Sequence, residues 1–169
     1  MTAAPPRVRS ALPADVRTIR DLVQPYATER ILLAKEWVGY YEAVQEFVVA
    51  EAPDGAVIGC GALHVMWQDL AEVRTLAVDP AWRGGGVGHL LLDALLDRAR
   101  QLGLRRVFCL TFEVDFFAAH GFAPIDGTPV TPDVYAELLR SHDDGVAEFL
   151  DLARVKPNTL GNTRMLIEL

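Results

Sequence analysis

The sequence predicts an α+β fold with a mixed, mostly antiparallel central sheet flanked by helices. Three β-rich runs lie between residues 46 and 78, and Asp54-Gly55 between the first two is a typical hairpin signal. A strand, an amphipathic helix and another strand then follow over residues 71–111. An antiparallel meander joined to one strand–helix–strand unit indicates a mixed sheet.

The remaining elements follow from apolar spacing and from residues that start or stop helices. Pro13 and Asp15 begin a helix, and Gly103 ends another that runs over about 87–102. In chain order, the other predicted elements are a strand at 7–12, a weaker helix at about 29–44, a strand at about 105–112, a short helix at 114–122, one or two helices within 133–153, and a terminal strand at 164–169.

Length and composition predict one domain, residues 1–169, with a sizeable core. The net charge of −7 argues against binding of nucleic-acid backbones, where Lys and Arg neutralise phosphates, but it allows a small phosphorylated ligand. Cys60 and Cys109 lie in apolar runs and are interpreted as buried thiols, and no histidine or cysteine spacing predicts a metal site. Without a membrane span or a signal-peptide core, we expect a cytoplasmic protein.

A run of glycines stands directly before the helix at 87–102, where residues 82–89 read W-R-G-G-G-V-G-H. The first N–H groups of a helix have no intrahelical partner and carry partial positive charge, so phosphates bind there. Glycines let the backbone approach such a ligand, and Arg83 adds charge-assisted hydrogen bonds. The pattern therefore predicts a pyrophosphate cradle rather than a loop without a ligand. It has neither the lysine of a Walker loop nor the G-x-G-x-x-G spacing of a dinucleotide fingerprint.

The same residues resemble those of a known family. The pattern R-x-x-G-x-G at Arg83, Gly86 and Gly88 follows the strand L-A-V-D-P (76–80) and opens the helix. It is similar to the acetyl-CoA-binding motif of the GNAT superfamily of N-acetyltransferases, and F-F-A-A-H-G-F at 116–122 is similar to that superfamily's F-Y-x-x-x-G-F. The resemblance implies a GNAT fold and acetyl-CoA as co-substrate, with no metal.

A narrower resemblance, over nearly the whole chain, is to the short, stand-alone N-acetylglutamate synthases of actinobacteria. It implies direct attack of the α-amino group of L-glutamate on the thioester in a ternary complex, the first step of arginine biosynthesis. The segments that show this resemblance are Y-E-A-V-Q-E-F (41–47), G-C-G-A-L-H-V (59–65), E-V-R-T-L-A-V-D-P (72–80), L-T-F-E (110–113), G-V-A-E-F-L-D-L (145–152) and V-K-P-N-T-L-G-N-T-R-M-L (155–166). Residues 126–160 are a helical addition that either covers the substrate or forms a homodimer contact.

The resemblance also implies which residues bind acetyl-CoA. The backbone of the strand before the loop would bind the pantetheine arm, and an N–H group near Val78 would polarise the thioester carbonyl. The phosphates would lie on backbone amides beside Arg83. In full, the implied acetyl-CoA residues are Leu76, Ala77, Val78, Arg83, Gly84, Gly85, Gly86, Val87, Gly88 and His89.

Glu72 is the implied general base, because the α-ammonium of the acceptor must lose a proton before it can attack. Arg74 lies two residues further along the strand and shares its face, so we expect it to bind a carboxylate of the acceptor. Phe117 stands where the superfamily often has a tyrosine that protonates the leaving thiolate, which leaves His120 as a candidate acid. Further substrate-binding candidates are Lys35, Thr111, Lys156, Asn162 and Arg164.

Two other functions stay open at this point. Longer synthases carry N-G-R-N-S near the C-terminus, whereas T-L-G-N-T-R at 159–164 has Gly161 in the arginine position. The acceptor is therefore glutamate or another small amino acid or amine, such as glutamine. The second alternative is an acetyl-CoA sensor without catalytic activity.

Overall fold

Seven strands form one sheet, in the order β1-β2-β3-β4-β5-β7-β6, in the computed structural model, which describes residues 4–32, 35–152 and 161–169. The strands are β1 (Arg7–Ser10), β2 (Phe47–Glu51), β3 (Val57–Trp67), β4 (Leu70–Val78), β5 (Arg106–Thr111), β6 (Ala123–Pro124) and β7 (Thr163–Glu168). The helices are α1 (Val16–Thr28), α2 (Trp37–Glu42), α3 (Val87–Gln101), α4 (Val114–Ala118), α5 (Pro132–Leu138) and α6 (Asp144–Phe149). No helix in these described ranges is long and apolar enough to cross a lipid bilayer.

The pairing of the strands confirms the predicted mixed sheet. β4 and β5 are parallel, with α3 as the crossover between them, and the other neighbouring strands are antiparallel. The prediction of one helix over 29–44 was wrong in its first half. Arg30 has a φ of 59°, which is incompatible with a right-handed helix, and α2 begins only at Trp37. The two-residue strand β6 is too short to leave a pattern in the sequence.

Helices cover both faces of the sheet. α3 packs its apolar side on one face, where Leu91 and Leu95 join a core cluster with Val73. α1 and α6 pack on the opposite face, α6 through Phe149 against Leu70 of β4. Because alternate residues of a strand point to opposite faces, Glu72 and Arg74 share the face of α6.

β4 separates from β5 about a third of the way along its length. Their parallel pairing ends at Glu72, although both strands continue. Just beyond, Gly61 of β3 lies opposite both Thr75 and Leu76, which makes a β-bulge in β4, and Thr75 adopts a φ of 57°. A Cβ atom on Gly61 would lie 2.9 Å from the Leu76 Cδ1, so a larger residue there would require the leucine side chain to shift. The bulge and the end of pairing open a gap between the two strands.

Candidate active site

This gap is part of a cleft with a volume of about 800 Å³. Its walls come from α1 and the segment after it, β4, the glycine loop, the end of β5, α4 and α6. The predicted site residues that line the cleft are Lys35, Glu72, Arg74, Leu76, Val78, Arg83, Gly84, Gly86, Val87, Gly88, His89, Thr111 and Asn162. Most of the predicted site is thus brought together in one place.

Besides the candidate acid His120, three predicted residues do not line the cleft, and Lys156 lies outside the described residues. Ala77 is buried in the core beneath α1. The Gly85 amide donates to the Trp82 carbonyl oxygen at 3.3 Å, so a turn already uses it. The third is Arg164.

Arg164 fixes the neighbouring helix instead of facing the cleft. Its guanidinium donates to the carbonyl oxygens of Gly127 at 3.0 Å and of Glu148 at 3.1 Å, and also to that of Phe149. It lies 4.9 Å from the centre of the Phe108 ring. The prediction that Arg164 binds substrate is therefore not supported by its geometry, since its donors are engaged by backbone.

The glycine loop presents free amides to the cleft. Gly86 has a φ of 84° and caps α3 in the left-handed region, which glycine adopts without strain. Among the described residues, the first helical hydrogen bond of α3 is donated by the Leu90 N–H to the Gly86 carbonyl oxygen, at 3.1 Å. The amides of residues 87–89 therefore lack a helical partner, and this end of α3 suits a diphosphate group.

A tyrosine that sequence reasoning missed joins this loop to β4. The Tyr26 hydroxyl donates to the Val78 carbonyl oxygen at 2.9 Å, and Arg83 donates to the same hydroxyl at 2.7 Å. The Asp79 amide bonds back to Ile58 of β3 at 2.8 Å, so the polar groups of Val78 point away from β3. The Val78 N–H is thereby directed to the side on which the cleft lies.

Arg74 forms the centre of a buried charge cluster. One terminal nitrogen donates to the Glu72 carboxylate and the other to Asp143 at the start of α6, both at 2.8 Å. Glu72 is only 3% exposed and the Arg74 side chain 9%. Gly145 packs so closely on this guanidinium that a Cβ there would lie 2.5 Å from the Arg74 Cζ. We predicted that Arg74 binds a carboxylate of the acceptor. In the structure its guanidinium instead binds two carboxylates of the protein.

The cluster shifts the ionisation of its members. Burial raises the pKa of Glu72, although the Arg74 charge opposes that shift. Burial also works against ionised Asp143, but the charge of Arg74 and the Val146 amide outweigh it and hold the pKa of Asp143 below its usual range. For Arg74, burial favours loss of the proton, whereas the two carboxylates prevail and raise the pKa.

Glu148 of α6 also lines the cleft, although no role was predicted for it from the sequence. Burial, assisted by the nearby Glu72 charge, raises the pKa of Glu148 to about 8. Its carboxyl makes no ion pair with the described Lys or Arg side chains, since Arg74 is taken by Glu72 and Asp143. A carboxyl group with this pKa is mostly protonated at neutral pH.

The predicted position for an acid near α4 carries no proton donor. Phe117 is buried, with its ring centre 5.2 Å from that of Phe122. His120 does not line the cleft; its Nε2 lies 2.7 Å from the Nδ1 of His89, and its Nδ1 lies 3.1 Å from an Asp93 carboxylate oxygen. The Thr111 hydroxyl accepts a hydrogen bond from the Glu113 amide at 2.8 Å.

Comparison with known proteins identifies the fold and the chemistry. Residues 16–123 match the family model described as Acetyltransferase (GNAT) family. The chain belongs to this family. The GNAT fold, the acetyltransferase activity and acetyl-CoA as the co-substrate are thereby confirmed.

Relatives of this GNAT acetyltransferase include amino-acid enzymes. A Mycobacterium tuberculosis protein named amino-acid acetyltransferase is 61% identical over 97% of this chain and 95% of its own length. A Mycobacterium tuberculosis structure solved in complex with CoA and NLQ, also 61% identical, superposes with a TM-score of 0.94 and covers 97% of this chain and 99% of its own.

A longer enzyme shares the fold at lower identity. The Neisseria gonorrhoeae N-acetylglutamate synthase, solved with coenzyme A and N-acetyl-glutamate, is 25% identical with a TM-score of 0.77. The structural match covers 99% of this chain but only 36% of the Neisseria synthase. The GNAT chain thus corresponds to about a third of the longer synthase.

Proposed function

We propose that this chain acetylates the α-amino group of L-glutamate with acetyl-CoA, the first step of arginine biosynthesis, in the cytoplasm. The observation that carries the proposal is the buried Glu72–Arg74 pair, which lies beside the gap between β4 and β5. The names of the Mycobacterium relative and the Neisseria synthase support an amino-acid acceptor.

In this proposal the two substrates meet at the bulge of β4. The amides at the start of α3 hold the diphosphate of acetyl-CoA, and the Val78 N–H polarises the thioester carbonyl. Glu72 takes one proton from the acceptor ammonium, and its raised pKa makes it a stronger base than an ordinary carboxylate. The neutral amine then attacks the carbonyl carbon, the C–N bond forms and the C–S bond breaks.

A second acceptor, L-glutamine, is favoured by the engagement of Arg74 and Arg164, the two arginines that were predicted to bind the acceptor. Both terminal nitrogens of Arg74 are bonded to carboxylates of the protein, which leaves only its buried Nε without a partner among the described residues, and Arg164 donates to backbone carbonyl groups. Lys35 and Arg83 remain as lining cations, and Arg83 lies at the phosphate loop. A neutral carboxamide needs no cation, so it fits such a site more easily than a second carboxylate.

The test is release of CoA from acetyl-CoA with a panel of amino acids. Glutamate or glutamine should give the highest kcat/KM, and aspartate, lysine and small amines should give much less. Glu72→Gln should lower kcat about 100-fold or more, whereas Glu137→Gln on the exposed side of α5 should leave it unchanged. Absence of CoA release with every amino acid would favour the sensor alternative.

A further inference from the structure

The proposed reaction removes two protons from the acceptor nitrogen and delivers one to the sulfur, and Glu72 accounts for only one of these three transfers. The ammonium gives its first proton to the base before attack. After the C–N bond has formed, the sulfur leaves as a thiolate and has to gain a proton to become CoA thiol. A positioned acid that supplies this proton speeds departure of the thiolate.

Few described groups in the cleft can supply that proton. The Tyr26 hydroxyl already donates to Val78, and an aliphatic hydroxyl such as that of Thr111 is too weak an acid. His89 lies in the glycine loop, where the phosphates bind. Three lining groups remain, the carboxyl of Glu148, the exposed imidazole of His142 and the ammonium of Lys35.

Geometry favours Glu148 as the proton carrier. Three carboxyl groups, those of Glu72, Asp143 and Glu148, gather around the single guanidinium of Arg74. The two terminal nitrogens of Arg74 are bonded to Glu72 and Asp143, so an ionised Glu148 would be a buried charge without a bonded cation, which is costly. Holding a proton on Glu148 removes that cost.

The other charges around Glu148 come from four elements. β4 contributes Glu72 and Arg74, α6 contributes Asp143 and Asp144, β7 contributes Arg164, and His64 of β3 acts on Glu72 and Asp143. The acids near Glu148 outnumber the permanent cations, which agrees with a protonated carboxyl at this position.

We propose that Glu148 is the general acid that protonates the departing CoA thiolate. The inference rests on the proposed acetyl transfer. The carboxyl proton of Glu148 passes to sulfur as the C–S bond breaks, which leaves a Glu148 carboxylate. Glu148 regains a proton either from Glu72, which took one from the ammonium, or from solvent. The nitrogen of the tetrahedral intermediate loses its second proton to solvent. Two carboxyl groups thereby take opposite roles because only one of them has a guanidinium partner.

The test is the pH profile of kcat with acetyl-CoA and the preferred amino acid. In the unmodified chain, kcat should fall as pH rises through about 8, where Glu148 loses its proton. Glu148→Gln should lower kcat about 10- to 100-fold at pH 7 and abolish that alkaline fall, with both KM values nearly unchanged. Glu148→Asp should keep an alkaline fall at a shifted pH.

Controls separate this inference from its rivals. Glu137→Gln, an exposed change, and His142→Gln should both keep the wild-type profile. The inference would be overturned if Glu148→Gln kept kcat within threefold of wild type and showed an unchanged alkaline fall. It would also be overturned if His142→Gln lost that fall. Either result leaves acetyl transfer intact, whereas an unmodified chain that releases no CoA would contradict the proposed function itself.

Discussion

The guanidinium of Arg74 donates to the Asp143 carboxylate at 2.8 Å, and this bond ties the central strand β4 to helix α6. The two residues are 69 positions apart in the chain. Since Arg74 also binds Glu72, the candidate base and helix α6, which lines the cleft, are held by one side chain.

Asp143→Asn should loosen this connection without removing the helix cap. Asparagine can still accept the hydrogen bond from the Val146 amide, now at 2.9 Å, but it cannot pair with the Arg74 charge. We expect the KM for the amino acid to rise about 10-fold, with a loss of about 1–3 kcal/mol in the free energy of unfolding. Steady-state kinetics and urea unfolding check this, with Asp133→Asn at the start of α5 as the matched control. An acceptor KM within twofold of wild type would contradict it.

Gly145→Ala should displace Arg74 by steric conflict. The new Cβ would lie 2.5 Å from the Cζ and from one terminal nitrogen of Arg74. We expect a loss of about 1–3 kcal/mol in stability and a rise in acceptor KM, with the KM for acetyl-CoA unchanged. Gly39→Ala is the control, because a Cβ there meets only Lys35 Cβ at 3.8 Å. Equal behaviour of the two variants would show that Gly145 is not needed for the packing of Arg74.

Tyr26→Phe should weaken binding of acetyl-CoA rather than of the amino acid. The change removes the hydroxyl that joins Val78 to Arg83 while keeping the ring. We expect the KM for acetyl-CoA to rise about 5- to 10-fold, the effect of one to two hydrogen bonds. Tyr41→Phe on the exposed side of α2 should have no effect. A larger change in acceptor KM than in acetyl-CoA KM would contradict the assignment of Tyr26 to the phosphate loop.

Glu148 should make stability depend on pH in the neutral range. Its pKa is about 8 in the folded chain and near 4.3 when unfolded, so the folded state holds the proton more tightly. Its contribution to the free energy of unfolding is therefore complete below about pH 4 and is lost as pH rises through about 8. Urea unfolding at pH 8.5 should find Glu148→Gln more stable than wild type, on the order of 1 kcal/mol. A parallel pH dependence in the two proteins would contradict the raised pKa.

The elements that depend on local sequence were predictable, and the contacts between distant elements were not. The glycine run before α3 predicted a loop that lines the cleft, and the two-residue spacing of Glu72 and Arg74 predicted that they share one face. The bulge at Thr75 left no signal, because a threonine rarely adopts a positive φ. The roles of Tyr26 and Glu148 arise from packing of remote helices over the sheet, which no spacing within one element reveals.

The most direct measurement is a crystal structure of the protein with CoA and N-acetylglutamate. The account predicts diphosphate oxygens on the amides of residues 86–89, and the acetylated nitrogen next to Glu72. A nucleotide bound elsewhere, or an acetylated nitrogen remote from Glu72 and Val78, would contradict it.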